Sequence, residues 1–310
     1  MEAIAVIEGK KKQAAQSGIN IDEVLIGMEP LEEILETAIF SGYLTNAIPL
    51  SLMLVGPSGT AKSKVIMQYQ SGLGCHITTD ITSSGMQELL AKDSKEIIKF
   101  IIIPDFNIVL SHRHSTLQLT VANLLSMTSE GSIRIDDGRA VKEVKHSPVG
   151  IISAMTPAMY SVIGKKWVAL GFSRRFLPIN YDYSLKTREK IQHSIAAGLT
   201  TMLQLAEKKL HAPDHRVDIH ISDDQSTRIM NFSHDLASAI GWVPVPNRKD
   251  IAKPKAVNSG KQIEFSPHII LRTMARAHAL RDKRNEVLDG DIEFCMSLIG
   301  FTRFDQPVLL

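Results

Sequence analysis

At 310 residues the chain is long enough for two domains of ordinary size, each with its own core. Its 44% hydrophobic and 22% charged residues argue against wholesale disorder, and a formal net charge of +2 is too small to steer the whole molecule onto nucleic acid. Only two cysteines occur, Cys75 and Cys295, without the paired spacing of a disulfide framework or a zinc site. The longest apolar runs, Ile48 to Val55 and Ile97 to Ile103, fall well short of the ~20 residues that span a bilayer. Met1 to Gln13 lacks the apolar run and cleavage signature of a secretory signal, so the expectation is a cytoplasmic protein with no membrane span.

In chain order, Asp22 to Phe40 reads as an amphipathic helix, with Leu25, Ile26, Leu31, Ile34, Leu35 and Ala38 on one side. Ser51 to Val55, ending at Gly56, reads as a buried parallel strand. Ile97 to Ile103 is a second such run, closed by Pro104. Thr116 to Met127 suits a helix through Leu117, Val121, Leu124 and Leu125. Ser132 to Ile135 and Val141 to Val144 read as strands flanking Asp137-Gly138, a strong hairpin turn signal, and Val149 to Ala154 is a third buried strand. Apolar strands alternating with helices predict a parallel sheet wrapped by helices. After Tyr183 the character changes. Lys186 to His211, Asp223 to Ile240, Ser266 to Arg281 and Asp289 to Phe301 read as helices, and Pro244 to Lys261 as an exposed loop among them. The expected architecture is an α/β core over residues 1–182 and an all-α lid over 183–310.

Gly56, Pro57, Ser58, Gly59, Thr60, Ala61, Lys62, Ser63 and Lys64 follow the first buried strand and open a helical segment. Small residues there let consecutive backbone N–H groups turn inward around phosphate oxygens. Lys62 would reach the β and γ phosphates, and the Ser63 hydroxyl would take a place on Mg²⁺. The strict pattern has Gly where this chain has Ala61. A turn that merely joins strand to helix is the alternative.

With its Ala-Lys-Ser ending, this loop resembles that of AAA+ ATPases in the clade of the minichromosome maintenance helicases and the MoxR-type proteins. The resemblance continues in order along most of the chain. The segment holding Ile26 and Gly27 is similar to the piece that lies near adenine, and Thr78 to Ser84 to the segment leading into that clade's extra helix-2 hairpin. Leu124 to Ile135 looks like the helix and hairpin before sensor 1. By this resemblance the chain is a P-loop core with a helical lid that binds ATP and Mg²⁺, works as a homo-oligomer, in a hexameric ring, and acts on a protein partner. Asp105 takes the place of the acidic motif that holds Mg²⁺ together with Ser63. The next position, a water-activating Glu in the family, is Phe106 here, which cannot accept a proton. Asn107 is a candidate for orienting the water, with a polar strand cap as the alternative. Thr156 stands where sensor 1 has Asn. Arg175, with Arg174 beside it, resembles the arginine finger that reaches a neighbouring subunit's nucleotide; a solvated arginine pair is the alternative. Ser266-Pro267-His268 resembles the start of the sensor 2 helix with His268 in place of Arg, and Arg272 lies one turn on.

The predicted hairpin carries Arg134, Arg139, Lys142 and Lys145, which in related helicases would offer DNA a salt-dependent backbone grip; Asp136 and Asp137 dilute the charge, and a solvated hairpin is the alternative. A DNA-translocating motor is therefore a second functional expectation. A non-hydrolysing, ATP-dependent assembly protein, suggested by Phe106, is the third.

Overall fold

The computed structural model describes residues 25–70, 74–136, 141–169, 172, 175–196, 208–245, 255–258 and 265–310. The first described helix, α1, spans Glu29–Ser41 and so begins later than the hydrophobic pattern predicts. Gly27 holds a left-handed φ of 76°, Met28 N–H closes a turn on the Leu25 carbonyl, and Pro30 fixes the first helical turn. Residues 22–24 lie outside the described residues.

Strand β1 is Ser51–Val55, as the apolar run predicts. A short helix α2 (Lys62–Met67) leads to β2 (Cys75–Ile77), then α3 (Ser83–Lys92) and β3 (Phe100–Ile103). β3 starts three residues late. Glu96 has φ 51°, and the Asp93 carboxylate takes the N–H groups of Ile97 and Ile98, which removes both from any ladder. Residues 78–99 hold one helix and no strand, so the extra helix-2 hairpin expected here is not formed. Helices α4 (Asn107–Leu110) and α5 (His114–Glu130) lead into the antiparallel pair β4 (Ser132–Asp136) and β5 (Val141–Lys145); its turn, Asp137-Gly138, lies outside the described residues. β6 (Gly150–Met155), α6 (Pro157–Ala169) and β7 (Phe176–Asp182) complete the core.

The parallel sheet runs β10-β7-β1-β6-β3-β2, with β1, β3 and β6 wholly buried between two helical layers. The pattern misses β2, too short to show a period, and β7, whose Pro178 breaks its strand signature. Pro178 is tolerated because β10 (Val308–Leu309) pairs only with Tyr181 and Asp182, so β7 has no described partner strand on that flank at Pro178.

Residues 183–310 are mainly helical: α7 (Leu185–Ala196), α8 (Asp223–Ile240), α9 (Phe265–Arg281) and α10 (Asp289–Phe301). The bounds of α8 match the pattern, set by a capping box in which Ser222 and Gln225 each bond the other's N–H. The region is not all-helical. Trp242–Val245 (β8) and Lys255–Asn258 (β9) pair antiparallel where an open loop is expected, and β10 returns to the core sheet. The helix predicted to reach His211 is described as far as Ala196; residues 197–207 lie outside the described residues, and 208–211 are not helical.

The C-terminal helices pack on the core. α9 packs along α1, β8 along α6, and one hydrophobic cluster unites Leu31, Ile34 and Leu35 with Ile270, Leu271, Met274 and Leu298. The seam is also polar. His278 lies between Asp291 (2.5 Å) and Glu33 (3.3 Å), its ring stacked on Phe294 at 4.2 Å, and Arg281 and Arg284 reach the same carboxylates. Burial opposes protonation of His278, but its hydrogen bonds to Asp291 and Glu33 overcome that and raise its pKa above the ordinary value. Burial also works against the Asp291 carboxylate, which Arg284 and His278 nonetheless hold down at about 2.

A raised folded pKa means that the His278 contribution is fully present below the unfolded value of about 6.5 and is lost as pH rises through the folded value. The Asp291 contribution runs the other way, vanishing only as pH falls toward 2. Thermal unfolding between pH 6 and 9 should show wild type losing stability with rising pH, and a His278→Gln variant losing distinctly less. Parallel pH profiles would disprove the assignment.

Candidate functional site

β1 sits where the direction of strand progression reverses. From β1 the chain crosses to the β2 edge of the sheet, whereas from β6 it passes over β1 to β7. Such switch points open a crevice beyond the C-terminal strand ends. Three buried strand tips meet there in register: Val55 pairs with Met155, Ile103 with Ser153, and the Ser153 hydroxyl donates to the Ile103 carbonyl at 2.6 Å.

The loop Gly56 to Ser63 leaves the β1 tip. A Cβ on Gly56 would meet Thr60 Oγ1 at 3.0 Å and the Tyr181 carbonyl at 3.1 Å, so any larger residue would push these neighbours back by a few tenths of an ångström. Gly59 turns with φ 84° and has open space beside it. The loop is braced from within by Thr60 Oγ1, which donates to the Pro57 carbonyl at 2.8 Å, and from β7 by the Tyr181 hydroxyl, which donates to the Thr60 carbonyl at 2.9 Å. Ala61 takes φ 53°, ψ 17°, the left-handed region where the strict motif has glycine. Its backbone still makes the turn, and the Ala61 carbonyl accepts the Val65 N–H of α2.

Lys62 is buried, and its Nζ donates to the carbonyls of Gly56 and Pro57 at 2.7 and 2.6 Å. Burial pushes its pKa down, opposed by the nearby charge of Asp105. Ser63 Oγ donates to the Pro104 carbonyl at 2.9 Å, tying the loop to the β3 tip. Lys62, Ser63 and Asp105 are thus brought together, although 42 residues separate Ser63 from Asp105 in sequence. Lys64 is exposed on the next helical position.

Asp105 Oδ1 accepts the Asn107 N–H at 3.0 Å. Asn107 opens α4, and its Oδ1 is buried without a hydrogen-bond partner. Thr156 follows the β6 tip beside Gly56, and its hydroxyl accepts the Met159 N–H at 3.4 Å, which makes it also a helix cap. Phe106 is no part of this polar set. Its N–H donates to the Ala154 carbonyl, and its fully buried ring packs edge-on at 6.3 Å from Phe172, which stacks on Phe176 at 4.0 Å. The side chain at this position serves the core.

A cleft of about 310 Å³ lies beside the loop, lined by Pro57 to Thr60 and by Asp182, Tyr183, Arg188, Ile191 and Gln192. Arg188 pairs with the Asp182 carboxylate at 2.8 Å. Gly27 is close to this wall: a Cβ on it would lie 3.2 Å from Thr187 Cγ2. Ile26, next to it, is half-buried. Tyr181 and the cleft wall carry no motif, and with β7 unrecognised in the sequence nothing placed them at the β1 tip.

His268 and Arg272 stand on α9, and neither lines this cleft. Burial and the Arg272 charge lower the His268 pKa, favouring the neutral ring. Arg175 precedes β7 at the opposite, N-terminal edge of the sheet, where Phe176 pairs with Ser51. Six strand residues separate it from the level of Gly56, roughly 20 Å at ~3.3 Å per residue, so it does not serve the loop of its own chain. Its Nε is buried without a hydrogen-bond partner among the described residues, and Arg174 lies outside them. In the β4–β5 ladder Arg134 pairs with Glu143 and Lys142 with Ile135, so the two basic positions do not share a row; Arg139 lies outside the described residues.

Among the described residues no group of three or more His, Cys, Asp or Glu side chains is arranged to hold a metal, and no helix is long and apolar enough to cross a membrane. Comparison with models of known protein families finds no match to the chain, and comparison with curated proteins finds none either.

Three substitutions test this geometry through denaturant unfolding. Phe106→Glu should lose about 3 kcal/mol or more, because it buries an unpartnered carboxylate among aromatic rings, whereas Phe106→Leu should lose only about 1 kcal/mol. Ala61→Gly should gain up to about 1 kcal/mol by relieving the left-handed alanine. A well-folded Phe106→Glu protein of wild-type stability would contradict the assignment of that ring to the core.

Proposed function

We propose that this chain is a Mg-ATP-binding P-loop module of AAA+ type that hydrolyses ATP slowly and uses nucleotide binding to switch or remodel a protein partner within a ring of its own copies. The observation that carries the reading is the convergence of Lys62, Ser63 and Asp105 at the tips of β1 and β3, at the switch point of a parallel sheet.

The residues present fit the nucleotide and its metal. The loop Pro57 to Thr60 lines an open cleft, where the backbone N–H groups of Ser58 and Gly59 are available to a phosphate, and Lys62 is a buried cation at its base. A hydroxyl at Ser63 and a carboxylate at Asp105 are the hard oxygen donors that Mg²⁺ prefers, and it takes few of them from protein when phosphates supply the rest. When bound, the metal would neutralise charge on the β and γ phosphates. The tasks of this chain's own groups follow from position. Lys62 holds phosphate charge, Ser63 and Asp105 hold the metal, Asn107 offers an unpaired carbonyl oxygen beside Asp105, and Thr156 offers a hydroxyl at the neighbouring tip. Arg175, at the far edge of the sheet, can meet only a neighbouring copy's nucleotide.

With Phe106 in the core, the general-base contribution of ~10²- to 10⁴-fold is missing at that position. This favours, as a second reading, a protein in which ATP holds subunits together without turnover.

Titration with a fluorescent ATP analogue should show Mg²⁺-dependent binding that Lys62→Ala weakens at least tenfold; equal affinity in both proteins would sink the proposal. Phosphate release should lie far below the median enzyme rate of ~10 s⁻¹. Brisk turnover would refute the slow-hydrolysis part. Arg175→Ala should leave the affinity of a single chain unchanged while reducing nucleotide-dependent association in sedimentation.

A further inference from the structure

Beyond α10 the chain runs back across the core as a strap, residues 302–310, and each of its anchors falls on an element bordering the candidate site. The Arg303 carbonyl accepts from Asn180 Nδ2 on β7 at 2.9 Å. The Phe304 ring stacks on Tyr160, in the first turn of the helix that Thr156 caps, with centroids 4.9 Å apart and planes at 23°. Val308 and Leu309 then add to β7 opposite Tyr181 and Asp182. The Leu310 N–H donates to the Asp182 carbonyl at 2.9 Å, and its carbonyl accepts the Ser184 N–H at 2.7 Å. The Leu310 backbone also lies 3.7 Å from where a Cβ on Gly27 would stand.

The strap therefore clamps the wall of the cleft from behind. Asp182 is fixed on its backbone side by Leu310 and on its carboxylate side by Arg188 and the Tyr183 N–H. A two-residue strand, one ring stack and three hydrogen bonds are a small anchor, of the kind that opens locally well before the whole protein unfolds. Opening would free the segment 182–184 that turns from β7 into α7.

We propose that the strap 302–310 is a conformational coupler: its docking on β7 and α6 holds the Asp182 to Thr187 wall in the shape that admits nucleotide, so that docking and occupancy favour each other. This rests on the nucleotide reading above. Linkage makes the coupling reciprocal: whatever factor the docked strap adds to affinity, bound nucleotide adds to the strap's protection. The same strap joins α10 to the site, giving the C-terminal helices a route by which occupancy is felt.

The test uses the full chain with Mg-ATP as the probe. Leu310→Pro removes the N–H that bonds Asp182, and Phe304→Leu removes the stack on Tyr160; two variants guard against one failing to fold, which circular dichroism checks. Expected results are about tenfold weaker ATP binding in each folded variant, and slower hydrogen exchange at the Leu310 and Ser184 amides of wild type when ATP is added. Unchanged affinity in the variants, or exchange at those amides indifferent to ATP, overturns the coupling while the nucleotide reading stands. A wild-type chain that binds no ATP overturns both.

Discussion

The candidate site depends on the register among three buried strands. Because β1, β6 and β3 are parallel and in fixed register, β1 and β6 end level with each other and β3 ends two residues short of them, opposite Ser153, so residues distant in sequence arrive side by side. Ser51 Oγ bonds the Ile151 N–H near one end of this trio and Ser153 Oγ bonds the Ile103 carbonyl near the other, so two buried hydroxyls pin the alignment. A slip of one residue would point every side chain to the other face and would part Ser63 from Pro104. The positions of Lys62, Asp105 and Thr156 all follow from this alignment.

Much of the frame was legible because its signals are local. The apolar run at Ser51 to Val55 and the helical periodicity of α5 each follow from a few neighbouring residues. What escaped were elements that owe their form to distant partners. β2 is a strand only because β3 lies beside it, and β7 because β1 accepts it despite Pro178. The β8–β9 pair lies in a stretch whose prolines and lysines read as loop, and β10 is two residues that gain strand character from docking. At the candidate site, the turn Gly56 to Ser63 between strand and helix was legible from its own residues, whereas the cleft wall at Asp182, Tyr183 and Arg188 became visible only through tertiary placement.

Phe106 illustrates how one position answers to two demands. Its backbone belongs to the β3 tip, adjacent to Asp105, while its ring fills a cluster with Phe172 and Phe176. A residue so enclosed is selected for shape and apolarity, and a carboxylate there would need charge partners that the cluster does not contain. An acidic side chain and this aromatic core contact are therefore mutually exclusive at the position. Around it the polar atoms of Asn107 and Thr156 remain at the neighbouring tips.

Among the described residues only β10 pairs with the outer edge of β7, at Tyr181 and Asp182, and this carries a further consequence even though the strand is buried. A strand edge without a ladder partner is a template on which a foreign chain can build, and templates of this kind seed fibrils. Here the proline that disguises β7 in the sequence stands midway along that flank and withholds a donor at its centre, while β10 closes the end nearest the loop. The irregularity that hides the strand from a reader also shields it from unwanted company.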